Sequence, residues 1–183
     1  ITSKDIDAYE RLIEQIQMSS IQKVIFISST SVYPVSNSLV TEETTTMNTP
    51  LSAIENLFRD TTFFETTIIR FAGLFGPGRH PGSWFKNGKT IPQPNGFVNM
   101  IHLEDCIEII HEILDQDCWG TTFNACSNDH PSRRDFYTNA RKSLNFENPI
   151  FEENSQLKYK IISSKKLQED LSYQFIHDNL LDI

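Results

Sequence analysis

Residues 24–34, VIFISSTSVYP, decide the fold, because an apolar run changes there abruptly into hydroxyl-bearing residues. The run over residues 23–28 is β-branched and aromatic without polar alternation, which is typical of a parallel strand covered on both faces. In open α/β sheets, ligands bind beyond the carboxyl ends of the strands. The serines at the end of this run therefore either face a bound molecule or only hydrogen-bond nearby backbone where the strand becomes a loop.

Helices and buried runs alternate on both sides of this stretch. Apolar residues at helical spacing predict a helix over residues 4–18, with Thr2 and Ser3 as candidate N-caps. Downstream, the patterns predict further strands at TTIIRFA (66–72), NMIHL (99–103), GTTFNAC (120–126) and KYKII (158–162), and further helices over residues 53–60, 104–116, 132–144 and 165–171. In the helix over residues 104–116, the predicted buried face consists of Ile107, Ile109, Ile110, Ile113 and Leu114. This alternation predicts an α/β fold with a partial doubly wound, Rossmann-like parallel sheet.

The totals exclude several classes of partner. The 183 residues have a formal net charge of -8, which argues against binding to nucleic acid or to a membrane surface. No apolar run approaches the length of a membrane span. The three cysteines lack CxxC spacing, which argues against a disulfide framework or a thiolate zinc site and fits a reducing cytoplasm.

A glycine-rich phosphate cradle is missing after the first strand. Nucleotide-binding folds place such a turn at a helix N-terminus, but no glycine precedes Gly73 in this chain. The motif GLFGPG at residues 73–78 leads into RHPG rather than into a helix, so we interpret it as a structured loop. Most of the seven glycines and four of the eight prolines occur over residues 73–97, which indicates a substrate loop or a domain boundary.

Six blocks carry a family resemblance: ISSTSVYP, TEE, IIRFAGLFGPGR, NMIHLEDC, GTTFNACSND and KIISSKKLQEDLSYQF, in that order. Together they resemble extended short-chain dehydrogenase/reductases of the NAD-dependent epimerase/dehydratase family, and most of all its atypical branch. The resemblance implies that residues 1–75 form the C-terminal half of a Rossmann-like NAD(P)-binding domain. It implies that residues 76–183 form a small α/β substrate-binding subdomain, with some chain returning to the first part.

The resemblance also implies a cofactor, a substrate class and a set of site residues. The cofactor is NAD or NADP, and the substrate is a small molecule such as a nucleotide sugar. Ser29 stands four residues before Tyr33, at the position that hydrogen-bonds the reacting substrate oxygen, and a hydroxyl suits that role because it can donate or accept. The implied cofactor contacts are Ile27, Ser28, Phe71, Ala72, Gly73 and Leu74, and the implied substrate contacts are Tyr33, Arg79, His80 and His102.

The acid/base motif of the family, YxxxK, does not occur in this chain. In its place the sequence reads PLSAIENLF at residues 50–58, with Leu51 or Ser52 at the tyrosine position and Glu55 or Asn56 at the lysine position. The alternative function is therefore a noncatalytic binding or regulatory protein on a degenerate dehydrogenase scaffold. Because the first residue is Ile, we expect a fragment whose phosphate-binding loop lies upstream, and its exposed strand surface predicts oligomerisation or poor stability.

Two further segments offer charged or aromatic groups. Arg79 and His80 are either contacts for an anionic substrate or solvated loop charges, and the WFK sequence at residues 84–86 is either an aromatic lid or loop packing. His102 and Asp105 match an HxxD motif in which Asp105 is expected to cap or favourably charge the first helical turn. His111 makes no metal-ligand spacing with His102, so no metal site is predicted.

Overall fold

The computed structural model describes residues 5–85 and 88–183, in which helices and strands alternate as predicted. In chain order the elements are α1 (Ile6–Gln17), β1 (Lys23–Ser29), β2 (Leu39–Val40), α2 (Pro50–Asp60), β3 (Glu65–Phe71), β4 (Gly73–Phe75), β5 (Thr90–Ile91), β6 (Met100–His102), α3 (Leu103–Asp115), β7 (Thr122–Ala125), α4 (Arg133–Ser143), β8 (Ile150–Phe151), β9 (Ile161–Ile162) and α5 (Lys165–Leu171). Two short 3-10 helices, Thr30–Val32 and Pro81–Ser83, follow β1 and β4.

The main sheet consists of three parallel strands in the order β1-β3-β7, which confirms the prediction of a partial parallel sheet. The central strand β3 is buried at every residue after its first. Among the described strands β1 lies at an edge, where Phe26 and Ser28 are buried and Ile27 on the other face is 36% exposed. A strand covered on both faces is therefore observed for β3. The same prediction is wrong for β1, because α1 and α2 cover only the face that carries Phe26.

An aromatic cluster joins α1 and α2 to this sheet. Phe26 of β1 stacks on Phe58 of α2 with ring centroids 4.6 Å apart, and Tyr9 of α1 meets both rings edge-on. Such pairs each add about 0.5–1.5 kcal/mol beyond the burial of their area. The helix α1 is capped by Asp5, whereas the predicted caps Thr2 and Ser3 lie outside the described residues.

A second, smaller apolar cluster lies around α4. It contains Phe75, Ile91, Val98, Met100, Phe136, Tyr137 and Leu180. The 3-10 helix Pro81–Ser83 packs closely on α4, since a Cβ on Gly82 would lie 2.1 Å from the Ala140 carbonyl oxygen. The larger apolar cluster, which contains Phe26, Phe58 and the core of the main sheet, also includes residues of β7, α3 and α5. The chain after residue 100 therefore returns to the main sheet.

Short parallel pairs connect the distal segments: β2 with β9, β4 with β6, and β5 with β8. The β4–β6 pair continues directly from β3, because only Ala72 separates β3 from β4. Across the two described ranges, no helix combines the length and the apolar character needed to cross a bilayer.

Candidate functional site

The carboxyl ends of β1 and β3 lie side by side, because the two strands are parallel and Ser29 is in register with Phe71. Ser29 Oγ accepts a hydrogen bond from the Ser31 amide at 3.1 Å and so caps the 3-10 helix Thr30–Val32. This contact agrees with the hypothesis that the serines hydrogen-bond nearby backbone where the strand becomes a loop. A hydroxyl that accepts in this way still has its own proton to donate. The half-buried Ser29 therefore keeps the group needed to polarise a carbonyl oxygen.

The turn after Ser29 is held by a lysine from a remote segment. Lys160 Nζ donates to the main-chain oxygens of Thr30 and Tyr33, each at 2.8 Å. Burial lowers the pKa of Lys160. Sequence reasoning missed this lysine because it lies 130 residues from Thr30, and a contact of that separation leaves no spacing pattern.

Behind this turn lies a buried network of polar side chains. Arg70 of β3 meets Glu55 of α2 through Nε at 3.0 Å and Nη2 at 2.6 Å, and its Nη1 donates to the Tyr33 hydroxyl at 2.5 Å. Tyr33 in turn donates to Asn124 Oδ1 at 2.8 Å. Ser28 donates to Glu55 from the same face of β1. The network therefore ties β1, α2, β3 and β7 together.

Tyr33 belongs to this network rather than to an open surface. The residue is 1% exposed, and its hydroxyl both accepts from Arg70 and donates to Asn124. Burial raises the pKa of Tyr33, and the opposing effect of the Arg70 charge does not offset it. The phenol is therefore neutral near physiological pH, and its position is that of a structural hydrogen-bonding group. Ser28, an implied cofactor contact, is likewise buried against Glu55.

The polar side chains at the positions that correspond to YxxxK form structural hydrogen bonds in this chain. Ser52 donates to the Met47 carbonyl at 2.6 Å and completes a capping box at the start of α2. Asn56 accepts from Arg59 at 2.6 Å on the exposed side of the helix. Glu55 is committed to the buried network. These side chains hold the helix in place, and their geometry provides no tyrosine–lysine couple.

The segment after β3 separates the main sheet from β4. Phe71 and Ala72 are buried, whereas Gly73 and Leu74 are exposed. A Cβ on Gly73 would lie 2.6 Å from Met100 Sδ and 3.1 Å from the Asn99 carbonyl oxygen, so β6 approaches Gly73 closely. Gly73 is nevertheless exposed, so its backbone lies at the surface next to the end of β3.

A cleft of about 380 Å³ lies beyond β4 and β6. It brings together two implied substrate contacts, His80 and His102, with His177, Asp182 and the loop over residues 75–78. Ser29 does not line this cleft. The structure thus divides the predicted site residues between the end of the main sheet and this second location.

The side chains of Arg79, Trp84 and Phe85 pack against neighbouring parts of the chain. Arg79 Nε donates to the Leu74 carbonyl at 2.7 Å, and its guanidinium lies 5.4 Å from the Trp84 ring centroid. Phe85 packs edge-on against Tyr137 with centroids 5.0 Å apart. The packing interpretation therefore applies to Trp84 and Phe85, while Lys86 lies outside the described residues.

Of the two roles predicted for Asp105 in the HxxD motif, the cap is wrong, whereas Asp105 does lie in the first turn of α3 as an acidic residue. His102, not Asp105, caps α3, because its Nδ1 accepts from the Glu104 amide at 3.2 Å. Asp105 is fully buried and accepts from the Ile176 amide at 2.7 Å and the His177 amide at 3.2 Å. It also accepts from the Tyr173 hydroxyl. Asp105 therefore fastens the C-terminal segment to the start of α3, which no local spacing could predict.

Comparison with known proteins identifies the fold. No family model matches the chain. Protein YeeZ of Escherichia coli strain K12 is 34% identical over 176 residues, which cover 93% of this chain and 64% of that protein. The chain thus spans less than two thirds of the length of the curated relatives it matches.

Two solved structures superpose closely. A conserved protein of unknown function from Silicibacter pomeroyi DSS gives a TM-score of 0.81 at 21% identity, covering 95% of this chain and 69% of that one. UDP-glucuronic acid 4-epimerase from Bacillus cereus in complex with NAD gives 0.79 at 18% identity, covering 99% and 64% respectively. The chain therefore has the Rossmann-like fold of the NAD-dependent epimerase/dehydratase proteins, as its sequence resemblance implied.

Proposed function

We propose that the protein binds a nicotinamide dinucleotide, NAD(H) or NADP(H), at the carboxyl ends of β1 and β3 and acts on a hydroxyl or carbonyl group of a nucleotide-sugar-type substrate. One observation carries the proposal. Ser29 ends β1 directly opposite Phe71, next to the small residues Ala72 and Gly73, and it retains a hydroxyl proton to donate. The free thiols of its cysteines fit a reducing compartment such as the cytoplasm.

The residues present fit the nicotinamide end of such a cofactor. Ile27 and Leu74 offer exposed apolar surface, and Gly73 is an exposed residue without a side chain. The pyrophosphate end has no glycine-rich cradle in these 183 residues, so the proposal assigns only the nicotinamide end to this chain. When bound, the nicotinamide would donate or accept the hydride. Ser29 would donate a hydrogen bond to the substrate carbonyl oxygen, or accept one from the alcohol, and so polarise the reacting bond.

Lys160 and the buried network would position Ser29. The lysine fixes the turn that follows it, and the Arg70–Glu55 pair fixes the strands on which the site is built. Neither supplies a proton at the reacting atoms.

A second candidate function is a noncatalytic binding protein on the same scaffold. Its supporting observation is that the family acid/base positions fall on Leu51 or Ser52 and on Glu55 or Asn56, of which Ser52 completes a helix cap and Glu55 forms a buried ion pair. This candidate predicts that the cofactor binds and that no substrate turns over.

Fluorescence titration with NADH and NADPH tests the proposal, since nicotinamide binding changes both cofactor and tryptophan emission. We expect saturable binding at millimolar cofactor or below for the natural protein. Absence of binding for both cofactors would overturn both candidates. Binding combined with cofactor reduction or epimerisation of UDP-glucuronic acid or UDP-glucose supports the first, and binding without turnover of any nucleotide sugar supports the second.

Variants at Ser29 separate polarisation from simple folding. Ser29→Ala should lower kcat/KM by about 100-fold or more, the typical loss when one donor to a developing oxyanion is removed. Ser29→Thr keeps the hydroxyl and should retain most of the activity. Ser31→Ala is the matched control, because its side chain is exposed and its amide still donates to Ser29. Equal losses for Ser29→Ala and Ser31→Ala would contradict the role of the hydroxyl.

A further inference from the structure

We propose that His102, Glu104 and His177 form a binding site for a divalent transition-metal ion of the Zn²⁺ class. One potential ligand atom from each residue lies within 4.8 Å of the other two. The two imidazole rings are adjacent, with centroids 3.7 Å apart, and His177 Nε2 lies 2.8 Å from Glu104 Oε2. Two imidazole nitrogens and one carboxylate are a common protein ligand set for zinc.

The cluster is positioned by the fold rather than by chance proximity of mobile side chains. His102 ends β6 and caps α3, and Glu104 lies in the first turn of the same helix. His177 comes from the C-terminal segment, whose backbone is fastened by the fully buried Asp105. The carboxylate of Asp105 thus holds His177 against the start of α3.

The cluster is also accessible to an ion from solvent. His102 and His177 both line the 380 Å³ cleft, together with His80 and Asp182. The Glu104 side chain is more than half exposed. Three protein ligands leave one tetrahedral position open, and that position could be filled by water or by a small molecule in the cleft.

The same atoms also form hydrogen bonds without a metal. His177 and Glu104 form an ion pair when the imidazole is protonated, and His102 Nδ1 accepts from the Glu104 amide. A metal at His102 Nε2 would move the remaining ring proton to Nδ1, so metal binding gives up that capping bond. Metal binding and the metal-free hydrogen bonds of His102 and His177 to Glu104 are therefore alternative states, and a metal titration can distinguish them.

The proposed site is independent of nicotinamide binding, since it shares no residue with the ends of β1 and β3. Its test is a calorimetric titration of the chelator-treated natural protein with Zn²⁺, together with a Co²⁺ titration followed by visible absorption. We expect one ion per chain and cobalt bands typical of a four- or five-coordinate site. No binding, or binding without any defined stoichiometry, would overturn the proposal.

Variants then assign the ligands. Loss of an outer-shell partner typically costs 10–100-fold in metal affinity, so loss of a direct ligand in His177→Ala should weaken Zn²⁺ binding by about 100-fold or more. His177→Ala keeps the backbone amide that donates to Asp105, and a thermal melt checks that the fold is retained. Glu104→Gln keeps a hydrogen-bond acceptor for His177 and should also weaken binding.

His111→Ala is the matched control. His111 lies on the same helix, is exposed and pairs with Glu108 at 3.6 Å, outside the cluster. Its removal should leave the Zn²⁺ affinity within about twofold of the natural protein. If His111→Ala weakens binding as much as His177→Ala does, or if His177→Ala has no effect, the assigned ligands are wrong.

Discussion

Neutralising Glu55 should destabilise the protein more than any exposed charge substitution. In Glu55→Gln the side chain keeps its shape and loses its charge, while Arg70 stays in the interior. The side chains of Glu55 and Arg70 are 1% and 4% exposed, so water cannot replace the lost partner. The new amide NH₂ would also place a donor against Arg70 Nη2 or Nε, where an acceptor is needed.

The magnitude follows from the class of interaction. Removing one partner of a buried ion pair typically costs about 3–5 kcal/mol, because the other charge is left buried and uncompensated. For chains of this length, each kcal/mol corresponds to roughly 2–4 °C in Tm, so we expect a decrease of about 6–20 °C. Since domains are typically stable by about 5–15 kcal/mol, this is a large fraction of the total.

Urea unfolding followed by circular dichroism measures the change in the free energy of unfolding. Arg59→Gln is the matched control, because Arg59 also faces Glu55 but at 3.6 Å and with its side chain 44% exposed, so its loss should cost less than about 1 kcal/mol. A double variant, Glu55→Gln with Arg70→Met, should recover part of the lost stability. If Glu55→Gln costs no more than Arg59→Gln, the buried network does not hold the sheet as described.

Two further predictions concern titratable groups. Burial raises the pKa of all three thiols, that of Cys106 to about 12, but Cys118 is only partly buried whereas Cys106 and Cys126 are buried. Cys118 should therefore react fastest with a thiol reagent near neutral pH, and an equally fast reaction of Cys106 or Cys126 in the native state would contradict the packing. Burial lowers the pKa of His130, so between that pKa and the ordinary value of about 6.5 the unfolded chain binds more protons than the folded one. Stability should therefore fall as the pH drops through this window, and His130→Gln should flatten the dependence; an unchanged slope in thermal melts would refute the assignment.

The elements of the fold were predictable because their signals are local. The buried runs at β1, β3 and β7 and the helical spacing of α1, α3 and α4 all lie within a few residues of the elements they indicate. Errors arise where tertiary position decides. In α3, Ile109 and Ile113 are buried, but Ile107 and Leu114 are exposed, since the side of the helix that packs on the sheet is narrower than its apolar surface.

Only those parts of the site that directly follow the strands of the main sheet were predictable from the sequence. Ser29 and the segment after β3 follow strands that are adjacent in the sheet, so their neighbourhood can be inferred from the alternation of elements. Lys160, Asn124 and His177 reach the site regions from remote segments, and no spacing motif reports such contacts. For the same reason no spacing in the sequence joins His102 to His177, although the fold places the two rings side by side.

Hydrogen exchange with and without NADH tests the central claim most directly. The proposed nicotinamide end predicts slower amide exchange in the natural protein over residues 27–33 and 71–75 when the cofactor is present. The loop over residues 152–156, remote in sequence from both segments, serves as the internal reference and should not change. Protection confined to other segments, or no protection at saturating cofactor, would contradict a nicotinamide site at the ends of β1 and β3.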